Sequence, residues 1–165
     1  FDKLSRYCGF GFPGGPAIQK LSEGGDETMV PLPRPKTSGE YDYSFSGLKT
    51  AAMYYLQDLK KEDEVSQRDF AASYQEAIVD SLMGVFEKAV KETNVPTISG
   101  GGGVIANKRL REKLASFAEK KEKNIYLPSP VLSTDNAAMI CSAAQKNLST
   151  KDLNINDVRL SSIIN

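Results

Sequence analysis

Histidine and tryptophan are both missing from the 165 residues, and the charges cancel, 21 Lys and Arg against 21 Asp and Glu. Without histidine, these residues alone cannot build an imidazole-based serine or cysteine triad, or any zinc site that needs a His ligand. Without net positive charge, the chain lacks the bulk field by which strongly basic domains hold nucleic acid. No apolar run approaches the roughly 18 residues of a membrane span. Two cysteines, Cys8 and Cys141, with no C-x-x-C, are too few for a disulfide framework. A reducing, cytoplasmic setting fits, and both thiols are expected to be buried as small hydrophobes. No charged-then-apolar leader follows Phe1, and a start on Phe inside what reads as a helix points to a fragment. What is present, 40% hydrophobic and 25% charged residues, is an ordinary globular composition for one domain rather than a disordered chain.

The periodicities alternate between helix and short strand. Phe1 to Cys8 reads as a helix ending near Gly9, and Gly9 to Pro16 as a turn-rich loop. Pro16 suits the first position of a short helix over Ala17–Leu21, closed by Gly24-Gly25. Residues 26–40, with Pro31, Pro33 and Pro35, read as an extended surface connection. Tyr43–Phe45 is a strand candidate, 48–59 a helix, and Lys60–Glu64 a charged loop. The clearest helix runs from Ser66 to Thr93. Ser66-x-x-Asp69 forms a capping box, and Phe70, Tyr74, Ala77, Ile78, Leu82, Val85 and Ala89 form one apolar stripe. Gln67, Glu76, Asp80, Glu87 and Lys91 fall mostly elsewhere on the wheel. Thr97–Ser99 and Asn124–Leu127 read as strands on either side of a helix from Asn107 to Lys120, with Leu110, Leu114 and Phe117 inward. Pro128 and Pro130 mark a loop, and a last helix starts near Asp135-Asn136 and ends by Asn147. The alternation argues an α/β or mixed α+β fold.

Several stretches look chemical. Gly9-x-Gly11-x-x-Gly14 matches a dinucleotide fingerprint in letters only, because a helix precedes it and Pro13 stiffens it. Gly47-Leu48-Lys49-Thr50 is not a Walker motif, since Leu48 separates the glycine from the lysine. The strand–glycine–helix unit from Thr97 to Arg111 is the better phosphate candidate. Gly100 to Gly103 allow close approach to the backbone, and a helix start at Asn107 offers unpaired N–H groups. Lys108, Arg109 and Arg111 crowd that first turn, where a nearby anion would offset their conflict with the helix dipole. A tight turn with a capping Asn and solvated basic residues accounts for the same letters, and both readings stand. Asp135, within Ser133-Thr134-Asp135-Asn136, reads by spacing as an N-cap, and one carboxylate does not make a metal site.

The chain also resembles a known family along nearly its whole length. Phe1-Asp2-Lys3, Phe12-Pro13-Gly14-Gly15-Pro16, Pro33-Arg34-Pro35, Phe45-Ser46-Gly47-Leu48-Lys49-Thr50 and Gln75-Glu76-Ala77 come first. Gly102-Gly103-Val104-x-Ala106-Asn107-x-x-Leu110-Arg111 and Thr134-Asp135-Asn136-Ala137-Ala138-Met139-Ile140 follow in family order. These are similar to the tRNA threonylcarbamoyladenosine transferases, once called glycoproteases, and the Ala-Met-Ile form looks bacterial or organellar. The resemblance implies an actin-like ATPase fold of the sugar-kinase and Hsp70 type, with this chain as most of the second lobe and the first lobe absent. It implies transfer of a threonylcarbamoyl group from threonylcarbamoyl-AMP to N6 of adenosine 37 in tRNAs reading ANN codons, with the fragment inactive alone. One Fe2+ or Zn2+ ion is implied, held by an upstream H-x-x-x-H pair and a later Asp that Asp135 matches. Asp2, Gly15 and Asn107 match substrate-binding positions. Implied partners are tRNA, a paralogous actin-like subunit and a small ATPase, in the cytoplasm. Gln19 stands where bacterial members often carry an acid, so it is not carried over, and Gly100-Gly101 lengthen a glycine run that is usually shorter. No residue is an evident general base. The competing reading is a non-catalytic scaffold of the same fold, which would need neither Asn107 nor Asp135. A peptidase finds no support, for no H-E-x-x-H or nucleophile–base pair occurs.

Overall fold

A computed structural model describes residues 1–58 and 65–147. The charged segment Lys60–Glu64 lies outside the described residues, as do Leu148 and Ser149 of Asn147-Leu148-Ser149, a glycosylation acceptor in letters only. The chain divides into two compact units, Phe1–Thr134 and Asp135–Asn165. The first contains α1 (Asp2–Cys8), α2 (Gly14–Ser22), α3 (Ser46–Asp58), α4 (Gln67–Thr93), β1 (Thr97–Ser99), a 3-10 turn (Gly103–Ala106), α5 (Lys108–Lys120), β2 (Asn124–Tyr126) and α6 (Pro130–Ser133). The second contains α7 (Ala137–Asn147). The fold is α/β and helix-rich. Its described strands, β1 and β2, pair parallel in the register Thr97–Asn124, Ile98–Ile125 and Ser99–Tyr126, with α5 as the crossover.

Helix α4 is the axis of the first unit. Ser66 caps it as expected, accepting from Asp69 N, and Asn94 ends it in the left-handed region. The single-stripe expectation fails over its first half. Every residue from Phe70 to Val79 is buried, because α2, α3 and the 26–34 connection wrap the helix. That connection runs at the surface over most of its length, as expected, but it is anchored inward at two points. Val30 and Leu32 join the core, Asp69 accepts from Asp26 N, and Ser73 Oγ accepts from Val30 N. Phe70 lies parallel to Tyr55 and Tyr74 at ring distances of 6.1 and 6.3 Å. A second, smaller core gathers Val79 and Met83 with Leu110 and Leu114, and Phe117 packs on its edge.

Other boundaries move for local reasons. Helix α2 begins at Gly14, not Ala17, so Pro16 sits third, still in the turn where a missing N–H costs nothing. Helix α3 begins at Ser46, which puts Gly47 to Thr50 inside a helix and disposes of any phosphate loop there. Tyr43–Phe45 is not a strand, since no strand among the described residues supplies it a ladder; instead the Tyr43 and Phe45 rings lie nearly parallel. Pro130 opens a short helix where a loop was expected. Among the described residues no helix is long and apolar enough to cross a membrane. Cys8 is half-buried, and burial pushes its thiol up, whereas Cys141 is exposed and contradicts the expectation of two buried thiols.

Candidate ligand site at the ends of α2 and α5

The site is built from helix ends. Asp2, in the first turn of α1, accepts a 2.7 Å hydrogen bond from Gly14 N and so places a carboxylate on the N-terminus of α2. The two backbones touch there, for a Cβ at Gly14 would lie 2.6 Å from Asp2 Cα. Gly15 is the opposite case. Nothing lies within 4 Å of where its Cβ would be, so α2 offers bare backbone on that face. One turn further on the same face, Gln19 Oε1 accepts from Lys108 N at 2.7 Å and ties α2 to the first residue of α5.

Asn107 caps α5 as the sequence suggested, its Oδ1 accepting from Leu110 N at 3.0 Å. Its Nδ2 donates to Gln75 Oε1 at 2.8 Å, and Gln75 Nε2 donates to Ser22 Oγ at 2.9 Å. Ser22 Oγ in turn donates to the Gln19 carbonyl at 2.8 Å. Asn107 and Gln75 are each 8% exposed. The arrangement therefore connects Asp2, Gly15 and Asn107 through α2. Gln75, Ser22 and Gln19 complete it; the sequence reading set Gln19 aside, met Gln75 only inside a family motif and did not single out Ser22. The available signal was the polar pair Gln75-Glu76 inside an otherwise apolar stretch, since buried polar residues require partners.

This closure alters the phosphate reading. The 3-10 turn separates the glycine run from α5, and the N–H groups of Asn107, Lys108 and Leu110 are taken by Val104, Gln19 and Asn107 respectively. Little of the helix's donor capacity is left for an anion. Within the run, a Cβ at Gly100 would strike Ile105 and Leu127, while Gly101 and Gly103 face open space. The basic triad is mostly committed as well. Arg109 grips Glu76 through two bonds of 2.7 and 2.8 Å, and Arg111 donates to the Ile105 and Pro128 carbonyls. Lys108 alone of the three keeps an exposed side chain without an ion pair among the described residues.

Glu76, expected on a polar outer face, is 9% exposed. It takes Arg109 and Lys113, Asp80 takes Lys113 and Arg34, and the pairs run at four-residue steps along α4 and α5. Burial pushes the Glu76 carboxyl up, but the hydrogen bonds from Arg109 and Lys113 outweigh it and hold it at about 2.

Asp135 opens the second unit, and Asn136 rather than Asp135 caps α7, accepting from Met139 N at 3.1 Å. The Asp135 carboxylate is exposed and has no hydrogen-bond or ion-pair partner among the described residues. As a donor it fits a divalent Fe2+ or Zn2+ ion, but as one ligand only, for the described residues contain no group of three acids, cysteines or histidines.

In this helix-rich α/β unit the open backbone at Gly15 lies one turn from Gln19, whose side chain ties α2 to α5 next to the capping Asn107. Residues 1–142 match the sequence profile of the tRNA N6-adenosine threonylcarbamoyltransferases, and the chain belongs to that family. It is 48% identical over 147 residues to the tRNA N6-adenosine threonylcarbamoyltransferase of Thermosipho africanus, covering 88% of this chain and 44% of the relative. The Symbiobacterium thermophilum enzyme of that name is 45% identical, with 87% and 42% covered, and that of Clostridium beijerinckii 44% identical, with 94% and 48% covered. The chain thus spans under half the length of these relatives.

Proposed function

We propose that this chain forms one wall of a tRNA N6-adenosine threonylcarbamoyltransferase site in the cytoplasm, in an actin-like fold whose other lobe is supplied by further sequence. In the reaction, N6 of adenosine 37 attacks the carbamoyl carbon of threonylcarbamoyl-AMP. A C–N bond forms, the anhydride C–O bond breaks, AMP leaves with the electron pair, and the amine proton passes to solvent or to a base outside these residues. The observation that carries the reading is the braced contact of α2 with the α5 N-terminus, in a chain of this family. Gly15 gives a bound adenylate close approach to α2, Asp2 fixes the start of that helix, and Asn107 retains one Nδ2 hydrogen beyond its two internal bonds. Asp135 holds the divalent ion together with a histidine pair outside this chain, and a bound ion of that kind supplies Lewis-acid polarisation of the carbamoyl carbonyl. Residues 1–165 act as part of a single transferase domain and are inactive alone. Lys108 is the residue left for a tRNA phosphate, and the rest of the RNA grip falls to partner subunits, an actin-like paralogue and a small ATPase.

The test uses a full-length protein carrying this chain, with its partner proteins, threonylcarbamoyl-AMP and tRNA. Asn107→Ala is expected to raise KM for the adenylate about tenfold through the lost hydrogen bonds, and Asp135→Ala to lose both metal content and transfer. Wild-type transfer and metal content in Asp135→Ala would remove the ligand assignment. A protein with intact Asn107 and Asp135 that binds tRNA and transfers nothing would favour the scaffold reading instead.

A further inference from the structure

We infer that Gln75 is the positioning residue of this ligand site, holding Asn107 in the orientation that meets the adenylate and fixing α5 against the ligand-facing helix α2. The inference rests on the proposed function above. Gln75 lies in the first half of α4, where the helix is buried on every side, and is close in the chain to Tyr74 and Ala77 of the main core. An amide in such a place is costly unless both of its ends are bonded, and an apolar side chain of similar volume would serve folding as well or better. Here both ends are bonded, and to two different elements: Oε1 to the Asn107 amide of α5, Nε2 to Ser22 in the last turn of α2.

What Gln75 adds is separable from helix capping. The cap of α5 is complete through Asn107 Oδ1 and Leu110 N. By accepting from Nδ2, Gln75 fixes which end of the Asn107 amide faces inward and which hydrogen remains for a ligand. Its other arm reaches Ser22, whose hydroxyl bonds the carbonyl of Gln19, the residue whose side chain meets Lys108 N. Two routes from α2 to α5 thus run in parallel, one buried through Gln75 and one at the surface through Gln19. The buried route lies away from water, so its loss cannot be made good by solvent.

The experiment measures steady-state transfer by a full-length protein with its partner proteins, varying threonylcarbamoyl-AMP and tRNA separately. Gln75→Leu is expected to raise KM for the adenylate about tenfold, with kcat reduced less than about threefold and KM for tRNA unchanged. Because Gln75 acts through Asn107, adding Gln75→Leu to Asn107→Ala is expected to cost much less than the product of the single effects. A Gln75→Leu protein that only loses active fraction at unchanged KM would overturn the inference, as would fully multiplicative effects in the double variant. If Asn107→Ala itself left KM unchanged, the site reading would fall and this inference with it. Should Gln75→Leu fail to fold, Ser22→Ala, which cuts only the α2 arm, carries the test by the same split, and an unmoved KM sinks the idea.

Discussion

The two halves of α4 are held by different forces. From Phe70 to Val79 the helix is buried on every side, in a core that includes Leu4, Ile18, Val30, Leu48 and Ala52. Beyond Val79, only Met83 and Val90 are buried, and the apolar contact is the small cluster with Leu110 and Leu114. Charge takes over along that side. At the boundary Glu76 meets Arg109 and Lys113, and Asp80 meets Lys113, across the α4–α5 seam. Beyond it Asp80 also meets Arg34 of the 26–34 connection, and Lys88 meets Glu40. The Gln75–Asn107 network hangs from the apolar half, so the proposed site is anchored in the more deeply buried part of the helix. The difference teaches that a 27-residue helix need not be one energetic unit.

Three measurements would break or sharpen that contrast. The largest effect is expected from Phe70→Ala, which empties a site between two parallel rings and should cost about 3–5 kcal/mol by denaturation. Leu114→Ala, in the smaller cluster, should cost about 2–3 kcal/mol. Equal losses would mean that the two halves share one core.

Acid comes next. The Glu76 carboxyl is held at about 2 in the fold against an ordinary value near 4.5. A depressed folded value gives stability that is present above about 4.5 and lost as pH falls toward about 2, at most roughly 3 kcal/mol. Denaturant titrations between those pH values should show that slope, and Glu76→Gln should flatten it; an unchanged slope would move the acid-sensitive group elsewhere. The smallest change is Gly84→Ala. Gly84 is exposed in the looser half, nothing lies within 4 Å of its missing Cβ, and alanine there should stabilise the protein by about 1 kcal/mol. A loss instead would mean that this face is more crowded than the contrast allows.

What could be read in the sequence was local. The Ser66 and Asn107 caps, the extent of α4 and the β1–α5–β2 order follow from neighbouring residues, and so does the Gly9 stop of α1. What could not be read came from partners far along the chain. Helix α2 starts early because a carboxylate twelve residues back receives Gly14 N. Arg109 and Arg111 looked available for phosphate because Glu76 and the Pro128 carbonyl carry no signal at their positions. Asp135 and Asn136 are equally good caps on paper, and the fold chose the second. Asp2, Gly15, Asn107 and Asp135 were singled out through the family resemblance, whereas the bracing by Gln75, Ser22 and Gln19 depends on contacts between elements far apart in the chain.

At the crossing of α1 and α2 the backbone of Gly14 rests directly on that of Asp2, and the short Asp2 carboxylate closes the contact from the side. Any side chain at position 14 would therefore wedge the two helices apart, and the start of α2 would move with it.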